Sequence, residues 1–159
     1  MDRGLLDSAL RLALLEGERA LRTDDVPVGA VVLGPDGAVL ATGRNEREAT
    51  GDPTAHAEVL ALRAAARTRG EWRLSGCTLV VTLEPCTMCA GATVLSRVDR
   101  LVYGARDTKA GAAGSVWDAL RDPRQNHRPE VFPPDLVDED VAAECVALLS
   151  RFFARRRIL

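Results

Sequence analysis

Two short stretches carry side chains that could do chemistry together: His56-Ala57-Glu58 and, further along, Pro85-Cys86-Thr87-Met88-Cys89. One imidazole and two thiolates suit zinc, and three protein ligands leave a tetrahedral ion one position for water, as in catalytic rather than structural sites. Zinc can lower the pKa of bound water from about 15.7 toward ~7, and a carboxylate two residues from a ligand is near enough to take and deliver protons. His56, Cys86 and Cys89 are therefore read as ligands of one zinc ion and Glu58 as the acid–base group. Taken alone, Cys86-x-x-Cys89 is equally a redox pair or half of a structural zinc knuckle. A structural site needs a fourth ligand, for which Cys77, Cys145 and His127 are available, and it would give Glu58 no task.

The elements that must hold these groups follow from periodicity. Leu6, Leu10, Ala13, Leu14, Gly17 and Leu21 recur at helical spacing, predicting an amphipathic helix over Leu5 to Arg22. Val28 to Leu33 and Ala38 to Thr42 flank Gly34-Pro35-Asp36-Gly37 and read as a hairpin. Arg44 to Asp52 reads as a loop. A helix then starts at Pro53-Thr54, with Thr54 able to cap the turn that carries His56 and Glu58, and runs to about Arg69. Thr78 to Leu83 is a β-branched strand that stops at Glu84-Pro85, after which Cys86 to Leu95 forms a helix with both cysteines in its first turn. All three ligands thus sit where helix amides and the positive dipole end favour thiolates.

Leu101 to Tyr103 predicts a fourth strand. Gly104 to Asn126 reads as loop with one short helix at Ser115 to Leu120, and Glu130 to Phe132 as a fifth strand. Val141, Cys145, Leu148, Leu149, Phe152 and Phe153 form the apolar stripe of a last helix, which ends in Arg155, Arg156 and Arg157. Cys77 at a strand start and Cys145 on that stripe read as buried core thiols. The interleaving predicts an α/β fold, a three-layer α/β/α sandwich with a mixed five-stranded sheet and helices on both faces.

At 159 residues and 47% hydrophobic content, the chain is expected to form one domain over 1–159 around one core. MDRGLLDSAL has a charge at position 2 and no sustained apolar run, and no membrane-length apolar segment follows. A soluble, cytoplasmic protein is expected, without a membrane partner. A net charge of −2 gives no global pull on phosphate, so a nucleic acid would be held by a local patch.

The chain resembles the bacterial tRNA-specific adenosine deaminase family of the cytidine deaminase-like superfamily. The resemblance runs through Val26-Pro27-Val28-Gly29-Ala30, Asp52 to Glu58 and Val81 to Ala92, whose zinc signature other nucleobase deaminases share. Tyr103 to Asp107, Gly111 to Ser115, Asn126-His127-Arg128 and the closing Phe152-Phe153 helix with its arginines are similar to the tRNA enzymes more specifically. The resemblance implies zinc-dependent hydrolysis of the wobble adenosine of a tRNA anticodon to inosine, with ammonia released, by a homodimer. It implies substrate contacts from Asn45, whose amide both donates and accepts, from Ala57, Asp107, Lys109, Asn126 and His127, and from Arg155 with its arginine neighbours on phosphate. Two departures bear on RNA affinity more than on chemistry: Asp25 stands where Glu is usual, and the sequence stops at Leu159 without a longer basic tail. A deaminase of free guanine or another nucleobase or nucleoside, and a zinc-stabilised RNA-binding module without turnover, are the competing readings.

Overall fold

In the computed structural model, which describes residues 2–157, helix and strand alternate around one five-stranded sheet. Met1, Ile158 and Leu159, at the ends of the expected domain, lie outside the described residues. The elements are α1 (Arg3–Ala20), β1 (Gly29–Leu33), β2 (Val39–Arg44), α2 (Arg47–Thr50), α3 (Ala57–Arg69), β3 (Thr78–Val81), α4 (Thr87–Leu95), β4 (Arg100–Tyr103), β5 (Glu130–Phe132) and α5 (Glu139–Arg157).

The strand order is β2-β1-β3-β4-β5; β1 runs antiparallel to β2 and β3, while β3, β4 and β5 are parallel. β1 and β3 are buried along their whole length, as expected of central strands covered on both faces. The hairpin turn closes with Gly34 N–H donating to the Ala38 carbonyl at 2.8 Å, and Gly37 takes the φ of 84° that the turn requires.

Two glycines show which helix covers which face. Ala30 and Gly43 are partners across the hairpin and share a face, so Gly29 points to the other. A Cβ on Gly29 would collide with the backbone of α1 at Ala13; one on Gly43 would come within 2.5 Å of the Ala57 carbonyl and 2.7 Å of the Ala61 amide of α3. Thus α1, with α5 against it, covers one face and α3, with α4 beside it, covers the other. The approach of α3 is close because its sheet-facing row is Ala57, Ala61 and Ala65, all fully buried. The result is the three-layer α/β/α sandwich with a mixed five-stranded sheet.

The local differences from expectation have physical causes. The Arg44–Asp52 stretch contains α2, a single helical turn held by Asp25. That carboxylate, 1% exposed, accepts from the amides of Glu48 at 2.7 Å and Ala49 at 3.2 Å and from the Thr23 hydroxyl at 2.6 Å. Asp25, noted above as a departure, is therefore a buried clamp. Thr54 caps nothing; its hydroxyl donates to Asp52 at 2.8 Å, and the N-cap of α3 is His56. No helix forms at Ser115 to Leu120, because the chain folds back there with Ala113 bridging Asp118. Among the described residues no helix is long and apolar enough to cross a membrane.

Candidate active site

The site forms where α3 and α4 begin. His56 and Cys86 are the N-caps of these helices, and Cys89 lies in the first turn of α4. Ser, Thr, Asp and Asn usually cap helices by accepting a backbone bond; here neither cap side chain does so. Both turn to one point instead. His56 Nδ1 lies 3.6 Å from Cys86 Sγ and 3.5 Å from Cys89 Sγ, and the three donor atoms all fall within 4.8 Å of one another.

These separations test the metal. With zinc–sulfur bonds of about 2.3 Å, zinc–nitrogen bonds of about 2.0–2.1 Å and tetrahedral angles, sulfur and nitrogen should stand about 3.6 Å apart. The donor set fits. Before any ion binds, the contact with Cys89, helped by His56, holds Cys86 down to about 3 despite its burial. Cys89 is pushed up because it is the donor in that contact and is buried, and His56 is raised chiefly by its contact with Cys86. Of the three donors only Cys86 is thus favoured in its ligand form, and a metal binding here would release protons from the other two. The other two thiols lie elsewhere: burial raises Cys77, fully enclosed at the foot of β3, and pushes Cys145, on the buried side of α5, up to about 12.

Glu58 occupies the second residue of α3 and is 4% exposed, and that burial raises its carboxyl above the ordinary value of 4.5. It lines a cavity of about 210 Å³ with His56, Cys86, Ala57, Asn45, Asp107, Val26, Val28, Arg47, Leu83, Glu84, Ala110 and Phe153. This is smaller than the roughly 300–1,000 Å³ of a site for a drug-sized ligand, and suits a single base. Asn45 is fixed in it: its Oδ1 accepts from the Arg47 amide at 3.3 Å, so its NH₂ group is what it offers the cavity.

Beside this cavity, and sharing Leu83, Asp107 and Phe153 with it, runs a groove of about 840 Å³ between the Ala105–Lys109 segment and α5. Arg106, Lys109, Arg156 and Arg157 line it. Of the residues expected to contact substrate, Asn45, Ala57 and Asp107 border the base-sized cavity and Lys109 borders the groove. Asn126, His127 and Arg155 border neither. His127 Nε2 lies 2.7 Å from the Val98 carbonyl, tying its loop to the α4–β4 connection, and Arg155 faces a separate hollow beside Leu21 and Arg151. Reading the sequence missed Arg47, Glu84 and Phe153 as lining residues. For Glu84 the signal was an acidic residue in an apolar strand end; Arg47 looked like any other charge in a polar loop.

The family model of the cytidine and deoxycytidylate deaminase zinc-binding region matches residues 5–105, and the chain belongs to that family. Within it, the chain groups with the tRNA-specific adenosine deaminases. It is 43% identical over 148 residues to the tRNA-specific adenosine deaminase of Bacillus subtilis, covering 93% of this chain and 88% of that protein. A solved structure from work on A-to-I editing by tRNA:A34 deaminases at the wobble position superposes with a TM-score of 0.76 at 44% identity, covering 79% of this chain and 96% of that one. The tRNA(Ile)-lysidine synthase of Deinococcus deserti is 55% identical over 116 residues, 73% of this chain; the chain spans only 22% of that relative's length.

Proposed function

We propose that this chain is a zinc-dependent tRNA adenosine deaminase that converts the wobble adenosine of an anticodon to inosine, with water consumed and ammonia released. The observation that carries the reading is a base-sized cavity, with three metal donors and a buried carboxylate in its wall, opening onto a basic groove. An unpaired anticodon base can be flipped into such a hole at small cost while its backbone stays outside.

His56, Cys86 and Cys89 hold the metal. Zinc, when bound, supplies the Lewis acid that makes water nucleophilic near neutral pH. Glu58 takes a proton from the attacking water and delivers it to the ring nitrogen next to carbon 6; it then takes the proton of the hydroxyl now on carbon 6 and passes it to the amine, so that the carbon–nitrogen bond breaks, the carbonyl forms and ammonia leaves. Its burial favours the proton-carrying form, as an acid–base shuttle needs. The Asn45 NH₂ group donates to an acceptor on the base edge, Ala57 and Asp107 shape the cavity wall, and Lys109, Arg156 and Arg157 meet phosphates along the groove. Asn126, His127 and Arg155 serve RNA lying away from the target base.

We also propose one domain, one zinc per subunit, a cytoplasmic location and a homodimer. Exposed Met88 and Leu95 on one face of α4, with Val116 and Trp117 beside its start, support the dimer as an apolar patch in need of cover.

The test is to incubate the zinc-loaded protein with a tRNA bearing a wobble adenosine, and separately with guanine, adenosine and cytidine, following ammonia and sequencing the RNA. Inosine at the wobble position alone is expected. Ammonia only from a free base would overturn the RNA substrate, and zinc with RNA affinity but no inosine would make the chain a binding module.

A further inference from the structure

Glu84 stands two residues before the metal donor Cys86, borders the base-sized cavity and is 2% exposed. Such a carboxylate invites reading as a second acid–base group. Its bonding excludes that role. Oε1 accepts from the Asp107 amide at 3.1 Å and from the Ser115 hydroxyl; Oε2 accepts from the amides of Ala113 at 3.0 Å and Ser115 at 3.1 Å. A carboxylate offers about four acceptor sites, and four donors occupy them.

All four donors belong to the segment that follows β4. Two backbone bonds run alongside: Glu84 N–H donates to the Ala105 carbonyl at 2.8 Å, and Ala112 N–H donates to the Pro85 carbonyl at 2.9 Å. Gly111 sits against the carboxylate so closely that a Cβ there would collide with it and with the Asp107 carbonyl. Charge-assisted bonds to a buried carboxylate are roughly twice as strong as neutral ones, so the segment is tied to the turn that carries Cys86. That segment brings Asp107 and Ala110 to the cavity and Lys109 to the groove.

We infer that Glu84 is a positioning residue: it holds the Asp107–Ser115 segment against the metal-ligand turn and so sets the shape of the substrate cavity without touching protons in the reaction. The inference rests on the deaminase reading only for what the segment binds. Glu84→Gln preserves size but turns one acceptor oxygen into an NH₂ that faces N–H donors.

Hydrogen exchange of the Asp107, Ala113 and Ser115 amides, zinc content, and kcat and KM for an anticodon stem-loop with wobble adenosine are measured on the zinc-loaded protein. The expected result is wild-type zinc, exchange of those amides faster by about tenfold or more, and KM raised by a similar factor with kcat within about threefold, from the loss of at least one charged hydrogen bond. Unchanged exchange overturns the inference, as does a fall in kcat at constant KM, which would put Glu84 in the chemistry. Should Glu84→Gln not fold, Ser115→Ala, which removes only the hydroxyl donor, and Gly111→Ala are read the same way; unchanged exchange in both overturns the inference. If the wild-type protein makes no inosine, the functional proposal falls while the exchange measurement still decides the role of Glu84.

Discussion

Gly43→Ala should disable the enzyme from behind. The Cβ it adds would lie 2.5 Å from the Ala57 carbonyl and 2.7 Å from the Ala61 amide. Ordinary contact begins near 3.4 Å, so α3 must retreat by about 0.9 Å from β2 (3.4 − 2.5). These neighbours are helix backbone, which has no rotamer to change. Overpacking of this kind costs about 1–3 kcal/mol, and at roughly 2–4 °C per kcal/mol for a chain of this size the melting temperature should fall by about 2–12 °C.

The functional loss should be larger. His56 and Glu58 travel with α3, whereas Cys86 and Cys89 are carried by the start of α4, so the 3.5–3.6 Å nitrogen–sulfur separations would change. A misplacement near 1 Å can cost about a hundredfold in rate. Thermal unfolding, zinc competition against a chelator of known affinity, and turnover at saturating zinc and RNA measure the three effects. Wild-type melting and wild-type zinc affinity in Gly43→Ala would refute the claim that this contact sets the metal site.

Glu58→Gln should keep zinc yet lose about 10²–10⁴ in turnover; more than a tenth of wild-type turnover would remove Glu58 from proton transfer. In the metal-free protein the folded-state pKa of Glu58 lies above its ordinary 4.5, so its contribution to stability is present below that value and lost as pH rises through the raised one. Melting of the metal-free wild type should therefore weaken across that window and Glu58→Gln should flatten the profile; parallel profiles would contradict the assignment. Chelation should abolish deamination and lower the melting temperature, by the free energy of a ligand that binds only the folded state, about 2.7 kcal/mol at a hundredfold excess over Kd, and added zinc should restore both. Arg157→Ala should weaken RNA binding and make the dependence of log K on log salt shallower by about one unit, with kcat kept; an unchanged slope would take Arg157 out of the phosphate contacts.

The sheet and the long helices were legible because their signal is local: β1 and β3 read as short β-rich runs, and the stripes of α1 and α5 repeat at helical spacing. His56, Cys86 and Cys89 stood out as a group by residue type and by the Glu58 beside them, and the structure brings their donor atoms within 4.8 Å of one another. What escaped reading depends on partners far apart in the chain. Asp25 holds a turn 23–24 residues later, and Glu84 receives donors 23–31 residues away. The expected helix at Ser115 failed for that reason: Glu84 takes both the amide and the hydroxyl of Ser115, and Ala113 bridges Asp118 instead. His127 was placed among the substrate contacts by the resemblance alone, and its bond to Val98 could not be guessed from Asn-His-Arg.

Because β5 lies parallel to β4, no hairpin can join them, and the chain must come back across the molecule before pairing again. That return path is where Asp107, Lys109 and the Glu84-bound segment reside. Lengthening such an excursion is thermodynamically cheap, about 0.6 kcal/mol per doubling, and leaves the strand register untouched. A lineage built on this frame could acquire new molecular appetites by rewriting the return path alone, while inheriting its hydrolytic machinery intact.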